Sequence, residues 1–264
     1  MPPTPMYSAA VAPAYCLRYC WTGWPSDVAL PPVPTNLLES IQPAWESDGI
    51  RLLESHWVAD KVQLTFSTTP QVAPEFLAAR VKGRLAYALR QSGQHLAFSR
   101  KLAVRSLGDN TRKIVESYIE RQVANGRLAD PRFTQRMEQF TVTMPQVDLS
   151  RPYEVKRGRY WCNLHLVLVV EQRGRMHEQR VLETVRDGAF RVACKKGYAI
   201  SRLAVMPDHL HVALRAVPSH TPEQVALAFQ NNLAYLVGCR LWSDGYYVGT
   251  FGEYTMNAVR RESR

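Results

Sequence analysis

Acidic side chains are the scarce charge in this sequence. Against 33 Lys+Arg stand only 23 Asp+Glu, a formal net charge of +10. That excess favours polyanionic partners, most simply nucleic acid. Cysteine is also sparse. The five present (Cys16, Cys20, Cys162, Cys194, Cys239) form no CxxC pair. Their odd number argues against a closed disulfide framework and fits a reducing cytoplasm. Long apolar runs are missing: the longest, Leu164 to Val170, is far too short to span a bilayer, so no membrane partner is expected. The N-terminus lacks a basic region followed by an apolar core, so no signal peptide is expected. Residues 1–14, rich in Pro and Ala, read as a loose leader. What remains is 264 residues with 46% hydrophobic content, enough for one large or two small domains.

Two small domains are favoured, because the sequence repeats itself. Gly49 to Asp60 align with Gly197 to Asp208, an offset of 148. The same offset matches Pro70 with Pro218, Pro74 with Pro222, and Leu85-Ala86-Tyr87 with Leu233-Ala234-Tyr235. Further on the offset becomes 144, matching Ser99 with Ser243, Gly108 with Gly252, Thr111 with Thr255 and Val115 with Val259. The pattern divides the chain into a leader (1–14), a first copy (15–123), a linker (124–152) and a second copy (153–264).

Each copy shows one pattern of elements. An apolar strand (about 15–22 and 160–170) leads to a helix (about 35–48 and 177–196). A hairpin follows (50–57 with 61–67, and 198–206 with 209–215). A Pro-initiated helix comes next (72–91 and 222–238). A short strand (101–106 and 245–250) then precedes a last helix after Gly108 or Gly252. The expected fold is α+β: two tandem ferredoxin-like or RRM-like antiparallel sheets with helices on one face.

Met206-Pro207-Asp208-His209-Leu210-His211-Val212 is the most telling run. Strand side chains alternate, so His209 and His211 point the same way and form a ready pair of ligands for one divalent metal. A bare His-x-His is equally what a strand with two surface histidines looks like. Lys61 and Gln63 stand at the matching places of the first copy, and lysine does not replace a neutral imidazole as a ligand. The last helices differ the other way. The first copy reads Gly108-Asp109-Asn110-Thr111-Arg112-Lys113-Ile114-Val115-Glu116-Ser117-Tyr118-Ile119-Glu120-Arg121-Gln122. The second copy has Glu262 where the first has Tyr118, and the sequence ends at Arg264, before an equivalent of Gln122.

The MPDHxH strand and the Tyr-Ile-x-x-Gln helix together resemble the single-tyrosine HUH transposases that act on single-stranded DNA, including the REP-associated ones. The resemblance implies that Tyr118 is the nucleophile and that Gln122 joins His209 and His211 as the third ligand of Mg²⁺ or Mn²⁺. At spacing i, i+4, Tyr118 and Gln122 share a helical face. The family's enzyme is a homodimer, and this chain resembles that dimer fused into one polypeptide. One composite site is then expected, with Tyr118 and Gln122 from the first copy and His209 and His211 from the second. Lys61 and Gln63 facing Glu262 form a dead counterpart. The resemblance further implies cleavage of single-stranded, hairpin-containing DNA through a 5′-phosphotyrosine, in a monomeric pseudo-dimer for which further association stays open.

Other roles stay open at single residues. Asp208 either orients a histidine or shapes a turn, since Asp60 matches it. Tyr246 and Tyr247 suit packing or base stacking, and Tyr254 is a substitute nucleophile. Two rival functions remain: a catalytically inactive DNA-hairpin-binding protein, and a metal-dependent hydrolase that activates water at His209 and His211.

Overall fold

The structure is a computed structural model that describes residues 4–9, 12–26, 30, 32–34, 36–94, 97–126 and 130–262, the side chains of residues 173 and 262 excepted. The first copy runs β1 (Ala14–Cys16), β2 (Arg18–Pro25), α1 (Leu37–Ser47), β3 (Ile50–Val58), β4 (Lys61–Thr68), α2 (Pro74–Gln91), β5 (Phe98–Leu107) and α3 (Arg112–Glu120). α4 (Gln122–Asn125), α5 (Pro131–Glu138), β6 (Thr141–Thr143) and β7 (Tyr153–Val155) connect the copies. The second copy runs β8 (Gly158–Trp161), β9 (Asn163–Val169), α6 (Gln179–Lys196), β10 (Ala199–Val205), β11 (His209–Arg215), α7 (Pro222–Val237), β12 (Tyr247–Thr250) and α8 (Met256–Glu262).

Among the described residues the strands form two six-stranded sheets. Sheet one has the order β3-β4-β2-β5-β8-β7, and sheet two β1-β12-β9-β11-β10-β6. Strands β3-β4-β2-β5 of sheet one and β12-β9-β11-β10 of sheet two follow the ferredoxin-like order, antiparallel throughout. α1 and α2 pack on one face of sheet one, α6 and α7 on one face of sheet two. Their apolar faces join one contiguous core that includes Trp21, Trp45, Phe66, Leu85, Leu166, Val212, Phe229 and Trp242. Local chemistry agrees with these elements. Thr221 and Gln224 close a reciprocal capping box ahead of Pro222 on α7. Gly197 ends α6 at φ +74°, and Gly49 takes the matching left-handed turn at φ +76°.

The two copies are joined reciprocally, the pattern of an isologous interface. β1 leaves its own copy to run parallel to β12 of sheet two, and β8 runs parallel to β5 of sheet one. Cys16 pairs with Gly249, and Trp161 with Arg105, the repeat-equivalent of Gly249. Gly108 bridges Thr255 while Thr111 bridges Gly252. Both glycines sit where backbones cross: a Cβ on Gly108 would stand 2.6 Å from the Thr250 carbonyl oxygen, and one on Gly252 would strike that of Ser106.

Two expectations change. The described part of the leader is anchored at Tyr7: its ring is buried, its backbone bonds the Asn231 side chain both ways, and its hydroxyl accepts from the Trp242 N–H at 2.7 Å. An aromatic ring and three polar partners outweigh the low propensity of the surrounding Pro and Ala. The expected strand over 15–22 is also two strands in different sheets, broken at Leu17. Residues 124–152 carry a helix and a strand, β6, which completes the edge of sheet two beside β10.

Candidate active site

The site face of sheet two follows from its register. His211 lies opposite Val167, which lies opposite Tyr247, while Ala213, His165 and Gly249 form the next row. Directly opposed residues point to the same face, so His209, His211, His165 and Tyr247 gather on the side away from α6 and α7. α3 of the first copy covers that side. Its Val115 and Ile119 pack on Ala204 and Ala213, with Leu149 and Phe251 closing the cluster. Alanines on the two strands let the helix approach closely. Arg202 of β10 adds ion pairs to Glu116 (4.0 Å) and Glu120.

This docking carries Tyr118 of the first copy to the histidine face of sheet two. Its ring, about half exposed, stands edge-on to His211 with 5.5 Å between centroids, and 6.2 Å from His165. His209 and His211 are themselves 4.7 Å apart between centroids. Gln122 is buried just past a break in the helix at Arg121. α3 and α4 are therefore not the continuous helix expected. The Tyr118 carbonyl at the break accepts from the Gln122 side-chain amide at 3.1 Å, which leaves the Gln122 amide oxygen as its open donor atom. The end of α4 lies against the loop that precedes the histidines, since a Cβ on Gly126 would meet Met206 Cε at 3.2 Å.

His165, in the middle of β9, was not singled out from the sequence. Its Nε2 lies 3.0 Å from Nδ1 of His211, and the rings stack. Burial lowers the His165 pKa to about 4. Burial first, then the neighbouring imidazoles of His165 and His209, depresses that of His211 well below the usual value. Both rings are neutral at pH 7. The readable signal was a lone histidine inside the apolar run Leu164 to Val170, at the place where the first copy has Cys20.

His209 and His211 offer imidazole nitrogens of the kind a divalent metal takes, while among the described residues no three His, Cys, Asp or Glu side chains are grouped closely enough to hold one by themselves. Nδ1 of His209 meets Asp208 Oδ1 at 2.7 Å, and Nδ1 of His211 meets His165. Among the described residues, Nε2 of each ring makes no hydrogen bond and remains available as a ligand. Asp208 thus contacts a histidine as well as lying beside the turn. Tyr246 is buried, whereas Tyr247 is partly exposed and sits 5.9 Å from His165. Tyr254 lies on the other side, close enough to perturb Arg105 of sheet one.

At the equivalent place on sheet one, α8 packs Met256 and Val259 over Cys20, Leu53 and Leu107. Lys61 and Gln63 line a small cavity of about 160 Å³ beside it. The Glu262 side chain lies outside the described residues. All five cysteines are free, and no described helix is long and apolar enough to cross a membrane.

The family model described as "Transposase IS200 like" matches residues 28–122 and again 159–261. The chain belongs to the IS200-like transposase family. The two matched segments are the two copies of the repeat, so this family member carries its domain twice. The ISDra2 transposase TnpA of Deinococcus radiodurans is 30% identical over 125 residues, 42% of this chain and 89% of that protein. Solved structures similar to it include one titled a transposase from D. radiodurans R1 (22% identity, 44% of this chain and 95% of that one, TM-score 0.33). Another is a REP-associated tyrosine transposase bound to a REP hairpin (12% identity, 43% of this chain and 66% of that one, TM-score 0.32).

Proposed function

We propose that this IS200-like transposase nicks and rejoins single-stranded DNA through one composite active site, built from Tyr118 and Gln122 of the first copy and His209 and His211 of the second. The observation that carries this reading is the edge-on approach of Tyr118 to His211 from a helix of the other copy. The Tyr118 oxygen attacks the scissile phosphorus, forming a Tyr–O–P bond as the P–O3′ bond breaks. The phenolic proton leaves the tyrosine, and the departing 3′ oxygen gains a proton, giving a free 3′-OH and a 5′-phosphotyrosine. Attack by a 3′-OH on that linkage reverses the step and rejoins strands without ATP. His209, His211 and Gln122 are the residues that would hold Mg²⁺ or Mn²⁺, which when bound would supply Lewis-acid stabilisation of phosphate charge. Asp208 and His165 orient the two imidazoles. A hairpin in the DNA is recognised by shape and by the basic surface.

One tyrosine per chain gives one cut at a time. Handling two element ends then takes two chains or two successive reactions.

The test is an adduct assay. Labelled single-stranded hairpin DNA drawn from the sequence flanking the gene is incubated with Mn²⁺ and wild-type, Tyr118→Phe or His209→Ala protein. The expected result is a covalent band on a denaturing gel that both variants lose. Tight binding with no band in wild type would instead point to the inactive hairpin-binding protein. Cleavage without a covalent band would point to the water-activating hydrolase.

A further inference from the structure

The face of sheet one that matches the histidine face of sheet two is not simply degenerate. It holds a groove of about 650 Å³ between β2, β5 and β8. Lys101, Arg105, Lys156, Arg157 and Arg159 line it, with the rings of Trp24 and Trp161. Register places them on the matching side: Arg105 lies opposite both Cys20 and Trp161, as Gly249 lies opposite His165 and Cys16.

Comparison of the copies separates this groove from a generally basic surface. The equivalents of Lys101, Arg105, Arg157 and Arg159 are Gly245, Gly249, Ala12 and Ala14. Those of Trp24 and Trp161 are Val169 and Cys16. Lys156 likewise matches Val11. Every cation and both tryptophans therefore line sheet one, the sheet whose metal histidines are replaced, with Trp24, Lys101 and Arg105 from the first copy and the rest brought over with β8 of the second. The groove is also built. The Arg105 guanidinium stacks 3.6 Å above the Trp161 ring, whose N–H donates to the Ser150 carbonyl at 2.7 Å. The one acid in the lining, Glu154, reaches Arg159 at 3.5 Å, with both side chains largely exposed. Four of the five cations in the lining, Lys101, Arg105, Lys156 and Arg157, have no acid beside them in the groove.

Cations that track a backbone beside aromatic rings that stack on unpaired bases are the chemistry of single-strand recognition. We propose that this groove holds a stretch of single-stranded DNA without cutting it, so that the open face of sheet one anchors a strand while the site on sheet two cuts. The inference rests on the single-strand reading of the substrate. It divides the two inherited half-sites into one for binding and one for chemistry.

The test uses the full chain carrying Tyr118→Phe and a short mixed-sequence oligonucleotide bearing 5-iodouracil. Photo-cross-links mapped by mass spectrometry are expected at Trp24 or Trp161 with the single strand, and not with the same sequence as duplex. The added substitutions Lys101→Gln, Arg157→Gln and Arg159→Gln should weaken single-strand binding on the order of tenfold or more. They should also flatten the log K against log salt slope by about 0.7 per contact removed. Cross-links elsewhere with unchanged affinity and slope, or equal cross-linking of the duplex, would overturn the proposal. Its failure is distinguishable from that of the catalytic reading. Cross-links in the groove without a wild-type adduct remove only the chemistry, and an adduct without groove cross-links removes only the anchor.

Discussion

Nε2 of His165 lies 3.0 Å from Nδ1 of His211, so each ring determines which nitrogen of the other carries the proton. With both rings neutral, one proton sits between the facing nitrogens. When His211 donates through Nδ1, its Nε2 lone pair is left free for a metal. His165→Ala removes the acceptor that holds this tautomer. Mn²⁺ affinity measured by calorimetry is expected to fall by about 10- to 100-fold. His165→Gln, which keeps an acceptor, should recover part of it. An unchanged Mn²⁺ affinity in His165→Ala would sink the orienting role.

The same burial makes the metal-free protein acid-sensitive. The folded-state values of His165 and His211 lie below the ordinary histidine value of about 6.5. Below about pH 6.5 the unfolded chain therefore binds more protons than the folded one, and stability rises with pH. The contribution is complete above about 6.5 and is lost as pH falls toward 4. The groups facing these rings are Tyr118, His209 and Tyr247, with Asp208 behind His209. His220, also lowered by burial, acts in the same direction elsewhere. Urea midpoints in EDTA should drop between pH 7 and pH 5, and the drop should be shallower in His165→Gln. Parallel pH curves for the two proteins would contradict the assignment.

The ion pairs that seat the two terminal helices have opposite polarity. On sheet two, Arg202 faces Glu116 of α3. At the repeat-equivalent positions on sheet one, Glu54 faces Arg260 of α8 at 2.9 Å. Exchanging the helices would set Glu116 against Glu54 and Arg260 against Arg202, so the charges favour one docking arrangement. Arg202→Glu sets a like charge against Glu116 and Glu120, and because Arg112 still pairs Glu116 at 2.9 Å the loss should be about 1 kcal/mol. Adding Glu116→Arg should recover part of that in a double-mutant cycle. The check is the thermal midpoint of the single and double variants. Additive losses would mean that the pair does not seat the helix.

Much of this was legible because the sequence says it twice. The repeat paired each strand and helix with a second witness, so β3–β4 and β10–β11 fell within a residue or two of expectation. Tyr118, Gln122, His209 and His211 were singled out from spacing joined to resemblance, and the structure brings the Tyr118 ring edge-on to His211. Three things were not. The exchange of β1 and β8 depends on long-range pairing that no local pattern encodes. His165 is one residue in an apolar run, and only the register beside His211 gives it meaning. Tyr7 stands among prolines and alanines, and nothing local reveals the pocket that takes it.

Tyr7 supplies a test of how firmly that N-terminal segment is fixed. Its ring is 2% exposed, and its hydroxyl accepts from the backbone N–H of Trp242, itself fully buried. Burial raises the phenol's pKa, so the group stays protonated and free to accept. Tyr7→Phe keeps the ring and removes only the oxygen, leaving the Trp242 N–H buried without a partner. Such a loss costs about 1–3 kcal/mol, whereas a substitution in a loose leader costs almost nothing. For a chain of this size each kcal/mol moves the thermal midpoint by about 2–4 °C. A fall of several degrees in Tyr7→Phe is the expected outcome by calorimetry. A midpoint within half a degree or so of wild type would mean that the segment is detached in solution and that Trp242 finds water instead.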